Sequence, residues 1–265
     1  PTILRGRIDA PDSYSVYVEA YGWGAEGDTV LVDPTITDSN LASYYGVYLD
    51  AEDYYYSPGG SHDAMPVTAG TITNSVIDSS NDFGLEMYAY AYDSTAGSRI
   101  DTELIDSDVH AYDGIYMNAY SYGCYEYDGV DSDECANADP AQYDTGLAVN
   151  SFSLQNSTPH MVESWWDYGI EADTYAYQGA DGGRSEIDVR GATIRSQYDG
   201  IYEYVWSEDG AATAESNIVN NDISTFGDSS GGGVYLSSSS TSGSASQSTT
   251  VAGNNIHDAA DDGVY

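Results

Sequence analysis

The chain has 265 residues, of which 44 are acidic and 6 basic, giving a net charge of -38. That much negative charge repels phosphate backbones and anionic headgroups, which excludes nucleic acid as a partner, and no run of 18 apolar residues supports membrane insertion. Disorder is excluded as well, because 41% of residues are hydrophobic and 13% aromatic, more apolar surface than disordered chains carry.

All the basic residues are arginines, and lysine is absent. Two readings of the acidity stand side by side. High salt screens self-repulsion over a few ångströms, and carboxylate oxygens are the ligands Ca²⁺ prefers. The lysine-free acidic surface resembles that of halophile proteins, which favours the first.

The chain opens on PTILRGRIDA, which has no signal-peptide pattern. SYSVYV (13–18) then starts an alternation of period two, the mark of a β-strand. The same shape recurs as YYGVYL (44–49), DFGLEM (82–87), YDGIYM (112–117), DYGIEA (167–172), YDGIYE (198–203), GGGVYL (231–236) and DDGVY (261–265). Its aliphatic anchors are Val16, Val47, Leu85, Ile115, Ile170, Ile201, Val234 and Val264, separated by 31, 38, 30, 55, 31, 33 and 30 residues. A period near 30 implies stacked repeats. Upstream of each anchor lies another apolar run broken by Asn, Ser, Gly or Asp, such as TITNSVIDSS and ESNIVNNDIS, which reads as short strands with tight turns. No stretch has helical periodicity.

Two or three strands per repeat and no helices predict an all-β fold, a right-handed parallel β-helix (β-solenoid) of about eight coils forming one domain over 1–265. The N-x-I and S-x-I runs and the G-[IVL]-Y anchors resemble the pectin-lyase-like right-handed parallel β-helix family over nearly the whole chain. Architecture follows from that resemblance; activity does not.

Strands in successive coils lie about 4.8 Å apart, so equivalent residues stack in columns. One place after the anchor stand Tyr17, Tyr48, Tyr116, Tyr202, Tyr235 and Tyr265, with Glu86 and Glu171 interrupting. Five places after come Tyr21, Tyr90, Tyr120, Tyr175 and Trp206, and seven places after, Trp23, Tyr54, Tyr92, Tyr122 and Tyr177. These form aromatic ladders on one outer face, while Leu49, Met87 and Met117 and then Ala51, Ala89 and Ala119 point inward. Three aromatic columns exceed the patch a monomer usually exposes and suit a protein interface, tyrosine being large, stiff and polar at its tip.

The long gap between Ile115 and Ile170 carries an acidic insertion at 123–144. Its Cys124 and Cys135 are read as a disulfide if the protein is exported, with two free thiols as the alternative. Asp128, Asp131, Asp133 and Glu134 offer close-spaced oxygens to Ca²⁺, without EF-hand offsets; a solvated acidic loop is the competing reading. Asn156-Ser157-Thr158 is an N-glycosylation sequon, and the serine-rich 237–250 stretch is expected to be an exposed turn. Residues 1–17 align without gaps on 249–265 and neither end shows a polar cap, so either the natural chain continues or the open edges stack head to tail on a neighbouring molecule.

Relatives implied by the resemblance include polysaccharide lyases, which use an Arg or Lys base with Ca²⁺, and glycoside hydrolases, which use grouped Asp residues. Here Arg184, Arg190 and Arg195 share one coil, and Asp261-Asp262 is an adjacent pair. Among 44 acids adjacency says little, and Asp113, Asp199 and Asp262 precede Gly as turn residues do. His62, His110, His160 and His257 fall in different coils. The expectation is an extracellular or cell-surface structural protein, self-assembling into a filament or array through its ends and its Tyr/Trp face, its partner being itself. The alternative is a polysaccharide-binding or polysaccharide-degrading β-helix protein with glycans as partner.

Overall fold

A computed structural model describes residues 1–23, 29–54, 64–92, 96–122, 146–177, 180–227 and 231–265. The apolar runs fold into strands that pair in parallel with their equivalents one repeat away, building a three-sided parallel β-solenoid with no helix among the described residues.

Face 1 stacks Thr2–Leu4, Thr35–Thr37, Met65–Thr73, Ser98–Ile105, the first part of Ala148–Ser164, the first part of Gly182–Ser196, Ala211–Val219 and Ala245–Ala252. Face 2 stacks Arg7–Ala10, Asn40–Ser43, Val76–Ser79, Asp108–Ala111, the later parts of those two long strands, Asp222–Thr225 and Asn255–His257. The long strands run round the corner and join both faces into one 15-stranded sheet.

Face 3 is a separate sheet of seven strands, here rungs 1 to 7: Val16–Trp23, Val47–Tyr54, Phe83–Tyr92, Asp113–Tyr122, Ile170–Tyr177, Ile201–Ser207 and Val234–Ser240. Val264 adds one bridge to Val234. Seven strands delimit six full turns, slightly fewer than the eight anchors suggest, because the last anchor contributes a bridge and not a strand. Ile115 pairs directly with Ile170, so the long gap is a single turn that also carries the 123–144 segment. The serine-rich 237–250 stretch is not a turn. Ser237–Ser240 closes rung 7, and Ala245–Thr250 pairs with Ala212–Asn217 of face 1. Its exposure is as expected, but parallel ladders are bonded through the backbone and accept serine side chains.

The core fills the space between the faces. The anchors Val47, Leu85, Ile115, Ile170 and Ile201 are fully or almost fully buried, as are Ile36, Ile72, Leu104, Leu154, Ile218, Leu41, Ile77, Val109 and Ile194 from the other faces.

The corner between faces 1 and 2 explains the recurring Asn and Ser. Asp38, Asn74, Asp106, Gly191, Asn220 and Gly253 hold positive φ there, a conformation that Gly, Asn and Asp adopt most readily. The next position inward is a buried hydrogen-bond ladder. The N–H of Gly6, Ser39 and Ser75 donates to the hydroxyl of Ser39, Ser75 and Ser107 respectively, at 3.0–3.1 Å. Further along, Ala192 and Asn221 donate to the amide oxygens of Asn221 and Asn254 at 2.9 and 2.8 Å.

Candidate functional site: the tyrosine and carboxylate face

Parallel pairing places the columns of face 3 in register. Tyr17 pairs with Tyr48, Glu86 with Tyr48 and Tyr116, and Tyr202 with Glu171 and Tyr235. Tyr90, Tyr120, Tyr175 and Trp206 align in one column, and Trp23, Tyr54, Tyr92, Tyr122 and Tyr177 in another. Between them runs a column the sequence reading passed over, three places after the anchor: Glu19, Asp50, Tyr88, Asn118, Asp173 and Tyr204. The alternation that located the other columns also points here, but mixed acids, amide and phenols hid it.

Ring geometry follows from the rung spacing. Tyr17–Tyr48, Tyr54–Tyr92, Tyr202–Tyr235 and Tyr235–Tyr265 stack face to face, with centroids 5.0, 4.8, 4.9 and 4.9 Å apart and planes within 10°. In the middle rungs the rings tilt: Tyr90–Tyr120 meet at 5.7 Å and 66°. Tyr17 and Tyr21 are 51% and 52% exposed, and most of the remaining rings are half-buried by one another.

Phenols and acids two residues apart share this face and bond to each other. Tyr48 donates to Asp50 Oδ2 at 3.0 Å and Tyr175 to Asp173 Oδ2 at 3.3 Å. Tyr17 donates to Glu19 and Tyr88 to Glu86. Asn118 Nδ2 donates to Tyr116 Oη at 2.9 Å. Asp50 is only 2% exposed, and its Oδ1, like Asp173 Oδ1, has no hydrogen-bond partner.

Burying acids without a cation disfavours their charged form. Burial pushes Glu86 up to about 7, and Glu171 up to about 8 with the charge of Asp173 adding. Asp173 rises to about 6 by burial. Asp50 is raised by burial first and then by the like charge of Glu52. Burial, reinforced by nearby acids, also lifts the phenols of Tyr48, Tyr88 and Tyr175 well above the usual tyrosine range.

The positive charge is elsewhere. Arg5 pairs with Asp38, Arg99 with Asp101 at 3.0 Å, Arg184 with Glu186 and Glu215, Arg190 with Asp188 at 2.6 Å and Arg195 with Glu163 at 3.4 Å. All of these lie on faces 1 and 2, and among the described residues no ion pair reaches face 3.

The remaining candidates are scattered. Arg184 and Arg190 sit on face 1 and Arg195 on face 2, each held by its acid. Asp261 and Asp262 line a hollow of about 270 Å³ with Asp199, Tyr202, Tyr235 and Tyr265. Asp199 Oδ1 accepts the Gly232 N–H at 2.5 Å, a turn contact. Asn156 lies at the face 1–face 2 corner with both amide atoms buried and unpartnered. Cys124, Cys135, Asp128, Asp131, Asp133 and Glu134 lie outside the described residues. Among the described residues no three His, Cys, Asp or Glu side chains converge as a metal site.

Two features escaped sequence reading. Glu203 occupies an inward position in the hydrophobic column yet is fully buried, accepting a hydrogen bond from Ser216; burial raises its pKa. At the corner between faces 2 and 3, Tyr112 stacks on Trp166 at 5.6 Å, with Trp165 and Trp166 47% and 53% exposed.

Neither protein-family models, nor curated proteins, nor solved structures give a match to this chain.

Proposed function

We propose that this is an extracellular structural protein that associates with copies of itself through face 3, building a filament or cell-surface array. The observation carrying this reading is the registered Tyr/Trp face on a rigid sheet. A phenol both donates and accepts hydrogen bonds, so a tyrosine face is complementary to its own copy. Along the columns one and seven places after the anchor its rings stack face to face, so there ring edges and hydroxyls are what meets a partner. That geometry suits edge packing against another protein better than sugar stacking, which needs free ring faces. Two acidic faces meet only when Na⁺ or Ca²⁺ screens them, which suits a chain of 44 acidic residues and no lysine.

Electron microscopy and sedimentation across a salt and Ca²⁺ series test this. Ordered assemblies are expected to grow as salt rises and to be lost in Tyr120→Thr/Tyr175→Thr, which keeps strand propensity. A monodisperse monomer under every condition overturns the reading.

A second reading, binding or cleavage of a neutral polysaccharide, is favoured by one feature, the exposed Trp165–Trp166 pair. Retention on insoluble polysaccharide that Trp166→Ala abolishes supports it.

A further inference from the structure

The ring contacts of face 3 join into one unbroken chain. It runs Tyr17, Tyr48, Tyr88, Tyr90, Tyr120, Tyr175, Tyr204, Tyr202 and Tyr235, with successive centroids 5.0, 5.7, 5.3, 5.7, 6.3, 5.8, 6.5 and 4.9 Å apart. From rung 1 to rung 7 that spans roughly 29 Å at the inter-strand spacing. We propose that face 3 is a relay for oxidising equivalents, passing an electron vacancy from tyrosine to tyrosine along the solenoid when a one-electron outer-sphere oxidant stronger than a tyrosyl radical acts on it.

Three observations support a relay over mere packing. The first is continuity: no step exceeds 6.5 Å, whereas direct transfer across the whole span is negligible. The second is proton management. A phenol that loses an electron becomes strongly acidic, so its proton needs a base within hydrogen-bond reach. Tyr17, Tyr48, Tyr88 and Tyr175 have one in Glu19, Asp50, Glu86 and Asp173. Burial makes the last three better proton acceptors than ordinary carboxylates. The third is that among the described residues no ion pair reaches this face, so those carboxylates face no arginine there and stabilise positive charge passing over them.

Each step balances. The oxidant takes one electron from a phenol, and the O–H proton moves to the bonded carboxylate, leaving a tyrosyl radical and a carboxylic acid. The next phenol returns an electron to the radical, the acid returns its proton, and the vacancy advances one ring. At Tyr90, Tyr202 and Tyr204, which are partly exposed, the proton goes to water.

Among the described residues Tyr235 touches the chain of rings on its rung-1 side only through Tyr202, so one substitution cuts the path. A ruthenium polypyridyl photo-oxidant is tethered at Ser13→Cys, an exposed position on the first turn, in a Cys124→Ser/Cys135→Ser background. 3-Aminotyrosine, easily oxidised and spectrally distinct, replaces Tyr235. At a dilution where the protein is monomeric, and with a diffusible one-electron acceptor that quenches the excited complex to Ru(III), a flash is expected to produce the aminotyrosyl radical, seen by transient absorption and electron paramagnetic resonance. Tyr202→Phe, which keeps the ring but is far harder to oxidise, slows arrival at least tenfold, as does Tyr202→Leu. Off-path Tyr198→Leu leaves arrival unchanged, and Asp50→Asn slows it and alters its solvent deuterium effect. A radical that stays on Tyr17 or on Tyr14, whose ring lies 5.1 Å from that of Tyr17, or arrival at an equal rate in Tyr202→Phe, overturns the relay. Neither result bears on self-association.

Discussion

At the scale of single residues, the glycine before seven of the eight anchors, Ser15 standing before Val16, shows why the repeat reads G-[IVL]-Y. A Cβ on Gly114 would lie 2.1 Å from the carbonyl oxygen of Gly169, and one on Gly169 would lie 2.5 Å from Ile194 Cγ2 and 2.6 Å from the oxygen of Gly200. The rungs approach so closely there that only hydrogen fits, and the anchor can then drop into the core. Gly263 has nothing within 4 Å of the same position. Gly169→Ala is therefore expected to cost about 1–3 kcal/mol as overpacking does, lowering Tm by several degrees, while Gly263→Ala stays near wild type. Thermal unfolding of the two variants side by side checks this; equal Tm values would remove close approach as the reason for the motif.

At the scale of elements, the corner ladder ties one turn to the next where the strands bend. Asn221 accepts from Ala192 N–H and donates to the Val189 carbonyl, both at 2.9 Å, while 2% exposed. Removing it leaves a buried N–H and a buried carbonyl unpaired, each costing about 1–3 kcal/mol. Asn221→Ala is expected to lose roughly 2–3 kcal/mol in chemical denaturation, against under about 0.5 kcal/mol for Asn255→Ala at an exposed site. This element was half legible. The anchors and three aromatic columns could be read because period two and a period near 30 compound into columns, and parallel pairing holds each column in register. The Asn and Ser positions were visible as chain breaks, but their buried hydrogen bonds depend on the neighbouring turn. The Glu19–Asp50–Asp173 column stayed hidden because a mixed column has no compositional signature. Ser237–Thr250 read as a turn because side-chain composition says little about a backbone-bonded ladder.

At the scale of the molecule, charge is sorted: arginines pair with acids on faces 1 and 2 while face 3 keeps buried acids and phenols. No spacing in the chain announces this, since it arises only when rungs far apart in sequence stack. Its consequence is an inverted pH response. A carboxyl whose folded pKa is raised holds its proton after the unfolded chain has released it, so the native state binds more protons in between. Stability then falls with pH across that window. For Glu86 and Glu171 it opens at the ordinary carboxylate range, near pH 4, and closes at about 7 and about 8. Most acidic-group linkage has the opposite sign, because paired carboxylates have lowered pKa values. Tm is therefore expected to drop by several degrees between pH 5 and pH 9 at constant high salt. Glu86→Gln/Glu171→Gln, neutral at every pH yet still able to hydrogen-bond, should flatten that slope. A double neutralisation of Asp101 and Glu103, which are not buried on face 1, should leave it. Calorimetry across this range decides the matter: a Tm that climbs with pH would mean the face 3 acids ionise freely, with a cation or solvent reaching them.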